Sequence, residues 1–390
     1  MINPAGRIER VEEYYFSRKL AQVRLLDSPQ RRIINLGIGS PDLAPSPDAI
    51  EALCESASNP SNHGYQNYKG VPALRQAIAG FSSLIYGVTL DTETEILPLM
   101  GSKEGIMHIS MAFINEGEKV LIPDPGYPTY ASVSNLVGAK IETYTLSETN
   151  NWKIDLDELR ARDLTDVKIM WINSPHMPTG SVAGIDELTG LVNLAKEKNF
   201  LIVNDNPYSL ILNDHPASIF SIPGAADVAL ELNSLSKSHN MAGWRIGWVS
   251  GNSRHIDFVL RVKSNMDSGM FLGLQHAAIA ALNSGPEWFA AQDKIYKARK
   301  KAAEKILSEM GCSFAAVQSG LFVWAKAPGH VTDVEKWLDF YLTEAGVFIT
   351  PGFIFGESGR QYIRISLCAT EEKLQEALER VKNVKPQISN

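Results

Sequence analysis

The 390-residue sequence contains few cysteines and no long apolar run. Its three cysteines, Cys54, Cys312 and Cys368, lie far apart and form no metal-binding spacing, so we expect reduced thiols and no metal site. The first 20 residues lack the apolar segment of an export signal, and no run of about 18 apolar residues predicts a membrane span. These absences predict a cytoplasmic protein without a membrane segment.

Positive charge is also scarce. The chain has 37 lysine and arginine residues against 44 aspartate and glutamate residues, which gives a net charge of −7. A nucleic-acid-binding surface would require a basic excess, so we expect no nucleic-acid partner. With 44% hydrophobic and 21% charged residues, the composition is that of a globular protein long enough for two domains.

Short apolar runs alternate with helical patterns through most of the chain. Runs such as VKIMWI, FLIVN and VALELN have the length of strands, and several are apolar throughout, as in strands covered on both faces. The alternation predicts an α/β domain with a mostly parallel sheet over residues 45–285. Residues 286–390 predict a smaller α+β domain, and residues 1–44 an N-terminal arm and part of that small domain. Proline followed by an apolar helical repeat predicts a helix over residues 72–86.

One lysine has unusual neighbours. The stretch LNSLSKSHNMAGWRIGW places Lys237 beside Ser234 and Ser236, with Arg245 eight residues further on. A free lysine amine is protonated at neutral pH, whereas burial and a nearby cation lower its pKa and make it nucleophilic. The serines and the arginine could hold a phosphate while the lysine bonds a carbonyl, which suits the phosphorylated aldehyde pyridoxal phosphate. The alternative interpretation is a solvated loop lysine.

A carboxylate follows another apolar stretch, FLIVNDNPY, which ends the predicted strand at Asp205 and places Tyr208 three residues later. Ligands of α/β sheets bind at the carboxyl ends of the strands. A carboxylate there could pair with a protonated pyridine nitrogen, and the tyrosine hydroxyl could bond a ring oxygen. The alternative is a strand-end acid that caps a turn.

Three further stretches carry weaker signals. In LMGSKEGIMHISMAFI a strand runs through Ser102 and Lys103 into a helix, whose first amide groups could bind phosphate. Tyr127 in IPDPGYPTY could stack on a planar cofactor, or simply pack in a rigid loop. Arg364 interrupts the strand QYIRISL and could grip a carboxylate with its planar guanidinium, or extend to solvent.

Together and in this order, these motifs resemble the class I/II aminotransferases, which are pyridoxal-phosphate enzymes of fold type I. The resemblance extends from NLGIGSPD (35–42) to YIRIS (362–366), and SLSKSHNMAGWRIGW is its most specific part. It implies an α/β fold whose large domain has a mostly parallel mixed sheet, with a smaller α+β domain. It also implies a homodimer, because the active site in this family borrows residues from the neighbouring subunit.

The resemblance implies roles for individual residues. Lys237 corresponds to the lysine that forms the Schiff base, and Asp205 and Tyr208 to the residues that bond the ring nitrogen and the ring oxygen. Arg364 and Gly39 correspond to positions that bind the substrate α-carboxylate. Tyr127 corresponds to the aromatic residue that stacks on the cofactor ring. Four further positions correspond to residues that bind the cofactor phosphate: Ser102, Lys103 (through its backbone), Ser234 and Arg245. Tyr65 corresponds to a residue that reaches the phosphate of the other subunit.

One position departs from the family pattern. Where the family has Asn-Pro-Thr-Gly, this chain reads NSPHMPTG, with Met177 in place of the asparagine that donates a hydrogen bond to the ring oxygen. A thioether cannot donate a hydrogen bond. We therefore expect Tyr208 to make this contact alone, while Asn173, four residues earlier, is not assigned the role.

The implied reaction is transamination between an L-amino acid and a 2-oxo acid. The N-terminal stretch RIERVEEYYFSRKL resembles the LL-diaminopimelate aminotransferase branch of the family, in which an aromatic residue closes over the substrate, and Tyr15 is the candidate here. An amphipathic helix that packs Tyr14, Tyr15 and Phe16 is the alternative. A C–S β-lyase or an aminocyclopropane-carboxylate-synthase-like enzyme would use the same residues. A ligand-sensing DNA-binding regulator and a nicotinamide enzyme are disfavoured, because no residues remain for a DNA-binding module and no Gly-x-Gly-x-x-Gly turn occurs.

Overall fold

The computed structural model describes residues 2–11 and 15–384. The strands in chain order are β1 Ile34–Asn35, β2 Ile96–Leu99, β3 Lys119–Asp124, β4 Lys140–Thr145, β5 Val167–Asn173, β6 Leu201–Asp205, β7 Ala229–Ser234, β8 Gly247–Gly251, β9 Phe322–Lys326, β10 Val347–Phe348, β11 Thr350–Pro351 and β12 Tyr362–Ser366. The α-helices are α1 Tyr15–Leu26, α2 Pro47–Ser58, α3 Pro72–Tyr86, α4 Ser102–Phe113, α5 Pro128–Leu136, α6 Leu156–Ala161, α7 Ile185–Lys198, α8 Leu235–Ser238, α9 Ser253–Lys263, α10 Leu272–Leu282, α11 Pro286–Glu309, α12 Val334–Phe340 and α13 Glu371–Lys382. The helix predicted over residues 72–86 is confirmed by α3.

The largest sheet has seven strands in the order β2-β8-β7-β6-β5-β3-β4. The neighbouring strands from β7 to β4 pair in parallel, whereas β8 runs antiparallel to both β2 and β7. Every residue of β6, β7 and β8 is buried. Helices cover both faces of the sheet, which explains why even polar residues of these strands, such as Glu231, are buried.

Alternate residues of the strands belong to two apolar clusters, one on each face of the seven-stranded sheet. On one face Met170 and Ile202 pack with Leu191 of α7, and on the other Ile169 and Val203 pack with Ile109 of α4. Because β5, β6 and β7 are parallel, their last residues, Asn173, Asp205 and Ser234, lie at the same edge of the sheet. The fold thus brings polar groups from three strands to one place.

A second region is built from the last hundred residues and from the N-terminal segment. Strands β11, β12 and β9 form an antiparallel sheet, and β1 pairs in parallel with β10 through Ile34 and Val347. Asp42, in the loop after β1, accepts two hydrogen bonds from the Arg299 guanidinium of α11, at 2.6 and 2.9 Å. This bidentate ion pair holds the loop that contains Gly39.

None of the helices among the described residues is long and apolar enough to cross a membrane. The N-terminal segment forms a 3₁₀ turn, Gly6–Arg10, and then α1, whose Phe16 and Val23 pack on Leu342 and Phe348. The division into residues 1–44, 45–285 and 286–390 stays a prediction.

Candidate active site

A cavity of about 680 Å³ lies at the carboxyl edge of the seven-stranded sheet. Most of the residues predicted from the sequence to form the site line it, whereas Tyr65 and Tyr15 do not. The predicted residues in its wall are Gly39, Ser102, Lys103, Tyr127, Asp205, Tyr208, Ser234, Lys237, Arg245 and Arg364.

Lys237 lies on α8, the single helical turn that follows β7. Its Nζ donates a hydrogen bond to the carbonyl oxygen of Gly39 at 2.5 Å. Burial lowers the pKa of the Lys237 amine, and the cations of Arg364 and Arg245 lower it further, against the opposite effects of Cys368 and Asp205. An amine in these surroundings reaches its neutral, nucleophilic form more readily than a solvated lysine does.

Asp205 is the buried carboxylate of the cavity, with 5% of its surface exposed. Its Oδ2 accepts a hydrogen bond from the Tyr130 hydroxyl at 2.8 Å, whereas Oδ1 has no hydrogen-bond partner among the described residues. Burial raises the pKa of Asp205 to about 6, although Tyr130 and Lys237 act in the opposite direction. A buried carboxylate oxygen that lacks a hydrogen-bond donor fits a cationic N–H donor such as a protonated pyridine nitrogen.

Tyr130 was not predicted from the sequence. Its ring stacks on Trp171 of β5 with 5.0 Å between centroids, and it meets Tyr127 edge to face at 5.5 Å. The only available signal was its place in the first turn of α5, three residues after Tyr127, which puts both tyrosines on one side of the helix. Tyr208 is also buried, and its ring packs edge to face on Phe322.

Small polar groups and one cation form the second part of the site. The Ser234 hydroxyl bonds the Ser236 hydroxyl at 2.8 Å, and Arg245 donates to Ser236 at 3.4 Å. Gly101 precedes α4 with a φ of 90°, and a Cβ at this position would collide with the Arg245 guanidinium. Helix amides, hydroxyl groups and a guanidinium that converge in this way form a donor set suited to phosphate.

Arg364 of β12 is 4% exposed and is surrounded by aromatic rings. Its guanidinium carbon lies 3.9 Å from the ring centroid of Phe322, 4.6 Å from that of Phe355 and 5.9 Å from that of Phe16. It donates hydrogen bonds to the Gly37 carbonyl at 2.8 Å and to the Met177 sulfur at 3.1 Å. The phenylalanines were not predicted from the sequence, because they come from elements far apart in the chain.

The side chain of Asn173 is engaged by backbone groups. Its amide nitrogen donates to the Asp205 carbonyl, and its oxygen accepts from the backbone N–H of Met177 at 2.6 Å. Asn173 therefore holds β6 and the 177 loop together at the floor of the cavity.

Two predicted residues lie elsewhere. Tyr65 is 93% exposed on the loop before α3. The Tyr15 hydroxyl donates to Glu335 at 2.9 Å, outside the cavity wall, and it is the next residue, Phe16, that lines the cavity. Tyr14 lies outside the described residues.

Residues 31–381 match the family described as Aminotransferase class I and II. The chain belongs to this family. The aminotransferase is 38% identical to the LL-diaminopimelate aminotransferase of Dehalococcoides mccartyi, with 98% of both chains covered, and 41% identical to that of Aquifex aeolicus, with 90% and 92% covered. Its fold is similar to that of apo-BacF from Bacillus subtilis, at 34% identity, full coverage of both chains and a TM-score of 0.95.

These comparisons confirm the resemblance, the fold class and the cofactor inferred from the sequence. The aminotransferase is a fold type I enzyme that depends on pyridoxal phosphate and moves an amino group between an amino acid and a 2-oxo acid. The C–S β-lyase and the aminocyclopropane-carboxylate synthase are not favoured. The donor set of the cavity fits the cofactor, because it offers an amine of lowered pKa, a buried carboxylate oxygen without a donor among the described residues and a pair of hydroxyl groups suited to phosphate.

Proposed function

We propose that Lys237 is the residue that bonds the aldehyde carbon of pyridoxal phosphate and then acts as the general base of amino transfer. The observation that carries this proposal is the presence of Lys237 and Asp205 in one cavity, with the lysine pKa lowered by burial. Pyridoxal phosphate, when bound, supplies an electron sink for the bond broken at the substrate Cα. Lys237, once neutral, removes the Cα proton at its Nζ.

The other residues of the cavity are proposed to hold the cofactor and to orient the substrate. Asp205 would keep the ring nitrogen of bound pyridoxal phosphate protonated through Oδ1, Tyr208 would donate to the ring oxygen, and Tyr127 would pack on the ring. Arg364 binds the substrate α-carboxylate with its fork of N–H groups, together with the backbone of Gly39, and so orients the Cα–H bond. The cofactor phosphate would be bound by Ser102, the backbone of Lys103, Ser234 and Arg245, and by Tyr65 of a second copy.

The experiment that tests amino transfer measures product formation with and without an amino acceptor. Purified holoenzyme is incubated with an L-amino acid, and the corresponding 2-oxo acid is quantified in the presence and absence of a second 2-oxo acid. An aminotransferase stops after one turnover when the acceptor is omitted. Continued release of pyruvate and ammonia without an acceptor would point to β-elimination instead.

Two curated relatives are named LL-diaminopimelate aminotransferase, so LL-diaminopimelate is the donor with which an apolar amino acid has to be compared. For the aromatic residue that closes over the substrate, Phe16 is a better candidate than Tyr15, because Phe16 lines the cavity.

The large domain is proposed to span residues 45–285, with a small domain made of residues 286–390 and part of 1–44. A cytoplasmic location is supported by Cys54, Cys312 and Cys368, which are free thiols in the structure.

We also propose a homodimer, and Tyr65 tests it. Replacing Tyr65 by phenylalanine removes one hydroxyl donor to the phosphate of the other subunit, so we expect the affinity for pyridoxal phosphate to fall about 10-fold. The dissociation constant is measured by titrating cofactor-free protein, and the dimer is verified by sedimentation. Tyr68→Phe on the same loop is the matched control and should bind normally. Wild-type affinity in a dimeric Tyr65→Phe variant would contradict the assignment.

Met177 should affect the pH at which the visible absorption band of the holoenzyme titrates. With methionine at this position Tyr208 would be the single donor to the ring oxygen, whereas a Met177→Asn variant would supply a second donor. We expect the absorption band of the wild type to titrate about one pH unit higher than that of Met177→Asn. Met177→Leu, which adds no donor, should titrate like the wild type. An equal or lower value in the wild type would refute the prediction.

A further inference from the structure

Building on the proposed function, we propose that the donor amino acid of this enzyme carries a large apolar side chain. The residues that point to it are Phe16, Leu20, Ile38 and Phe355, which we call the apolar wall. All four line the cavity. Phe16 and Phe355 also flank Arg364, so the wall begins at the group that binds the substrate carboxylate.

The apolar wall continues outwards along α1. Leu20 lies one helical turn after Phe16 and therefore on the same face of the helix. Leu20 and Ile38 both pack on the cluster of Phe16, Val23, Leu342 and Phe348, yet both stay only partly buried. An apolar substrate side chain would cover this surface, and each methylene it buries should improve binding about fourfold.

The charged residues that line the cavity already have other proposed roles. Among the described residues that line it, Asp205, Lys237, Lys103 and Arg245 belong to the part proposed to hold the cofactor, and Arg364 to the α-carboxylate. A donor with a distal carboxylate or ammonium would place that charge against phenylalanine, leucine and isoleucine. Burying a charge without a partner is strongly unfavourable, so such donors should be rejected.

Further charged residues line a neighbouring cavity. A neighbouring cavity of about 690 Å³ is lined by Arg10, Arg18, Asp124 and Glu357. The two cavities share Phe16, Tyr127 and Phe355 in their linings. The rings of these three residues therefore border both cavities, and the Asp124 carboxylate already accepts hydrogen bonds from Ser358.

The experiment compares donors in the half-reaction of the holoenzyme. The absorption of the lysine-bound cofactor is followed after mixing with L-phenylalanine, L-leucine, L-alanine, L-glutamate or LL-diaminopimelate, which yields kcat/KM for each. We expect phenylalanine and leucine to exceed alanine, glutamate and LL-diaminopimelate by about 50-fold or more. Faster conversion by glutamate or LL-diaminopimelate would overturn the substrate class and leave amino transfer intact. No conversion by any donor would overturn the proposed function, and the substrate class with it.

A binding measurement removes the dependence on turnover. Calorimetry of the holoenzyme with 3-phenylpropanoate and with glutarate compares an apolar and a charged substitute for the donor, neither of which carries an amino group. The apolar acid should bind at least about 10-fold more tightly. Tighter binding of glutarate would refute the proposal.

A matched pair of variants locates the preference on the apolar wall. Leu20→Arg introduces a cation into the wall and should shift the ratio of kcat/KM for phenylalanine over glutamate by about 100-fold toward glutamate. Leu25→Arg makes the same change on the same helix at a residue that is 87% exposed, and should leave the ratio within twofold. An unchanged ratio in a folded Leu20→Arg variant would overturn the role of the wall.

Discussion

Replacing Lys237 with alanine should lower the rate of amino transfer by about 10⁴-fold or more, because this one side chain is proposed to supply both the nucleophile and the general base. The amine of Lys237 is directed at the Gly39 carbonyl inside the cavity, and its pKa is already lowered by burial. The measurement is formation of the 2-oxo acid under saturating donor and acceptor. The visible absorption band of the lysine-bound cofactor should vanish in the same variant.

Two further variants make this result specific. Lys237→Arg keeps a cation of similar length but provides no nucleophilic amine, so it should be as inactive as Lys237→Ala. Lys140→Ala changes an exposed lysine on β4 and should retain wild-type activity and spectrum. If the Lys237→Ala protein kept the absorption band, another amine would have to bond the cofactor.

Replacing Asp205 with asparagine should have opposite effects on activity and stability. The rate of amino transfer should fall by about 10³-fold, because an amide cannot hold the ring nitrogen in its protonated form. Cofactor-free protein should at the same time become more stable at pH 7, since a carboxylate whose charged form is destabilised by burial is removed. Activity is measured with the holoenzyme and stability by chemical denaturation without cofactor.

The pH dependence of that stability gain has a defined direction. Burial raises the pKa of Asp205 from 3.8 to about 6, so between these values the native state binds more protons than the unfolded state. The carboxyl group therefore destabilises the cofactor-free protein increasingly as the pH rises from about 4 to 6, by on the order of 2–3 kcal/mol at neutral pH. The gain of Asp205→Asn should be full at pH 7 and vanish near pH 4.

An exposed aspartate provides the comparison. The Asp157 side chain is 93% exposed on α6, and Asp157→Asn should change the free energy of unfolding by less than about 0.5 kcal/mol at either pH. A gain for Asp205→Asn that was the same at pH 4 and pH 7 would show that ionisation of the carboxyl group is not its cause.

The residues at strand ends could be predicted from the sequence because the information is local. Asp205 and Ser234 each close a buried apolar run, and parallel strands bring such ends to one edge of a sheet. The same holds for Ser102, which follows a glycine at the start of α4. These positions depend on apolar runs of strand length and on the rule for parallel sheets, and both can be recognised in a linear sequence.

Residues contributed by other elements could not be predicted in this way. Tyr15 and Phe16 are neighbours on α1, but successive residues of a helix point about 100° apart. Only the packing of α1 on Leu342 and Phe348 decides that Phe16, and not Tyr15, enters the cavity. The phenylalanines that surround Arg364 likewise come from β9, α1 and the segment after β11.

By itself the sequence determined the α/β fold, the cofactor class and the residues of the strand ends, because each is encoded in a short pattern with its own chemistry. The tertiary structure alone decided which oxygen of Asp205 lacks a donor among the described residues, that Tyr130 donates to the other oxygen and that Phe16 and Phe355 flank Arg364. The physical reason is that a site's affinity for a charged or an apolar group depends on burial and on contacts between distant segments, which only the packed fold creates.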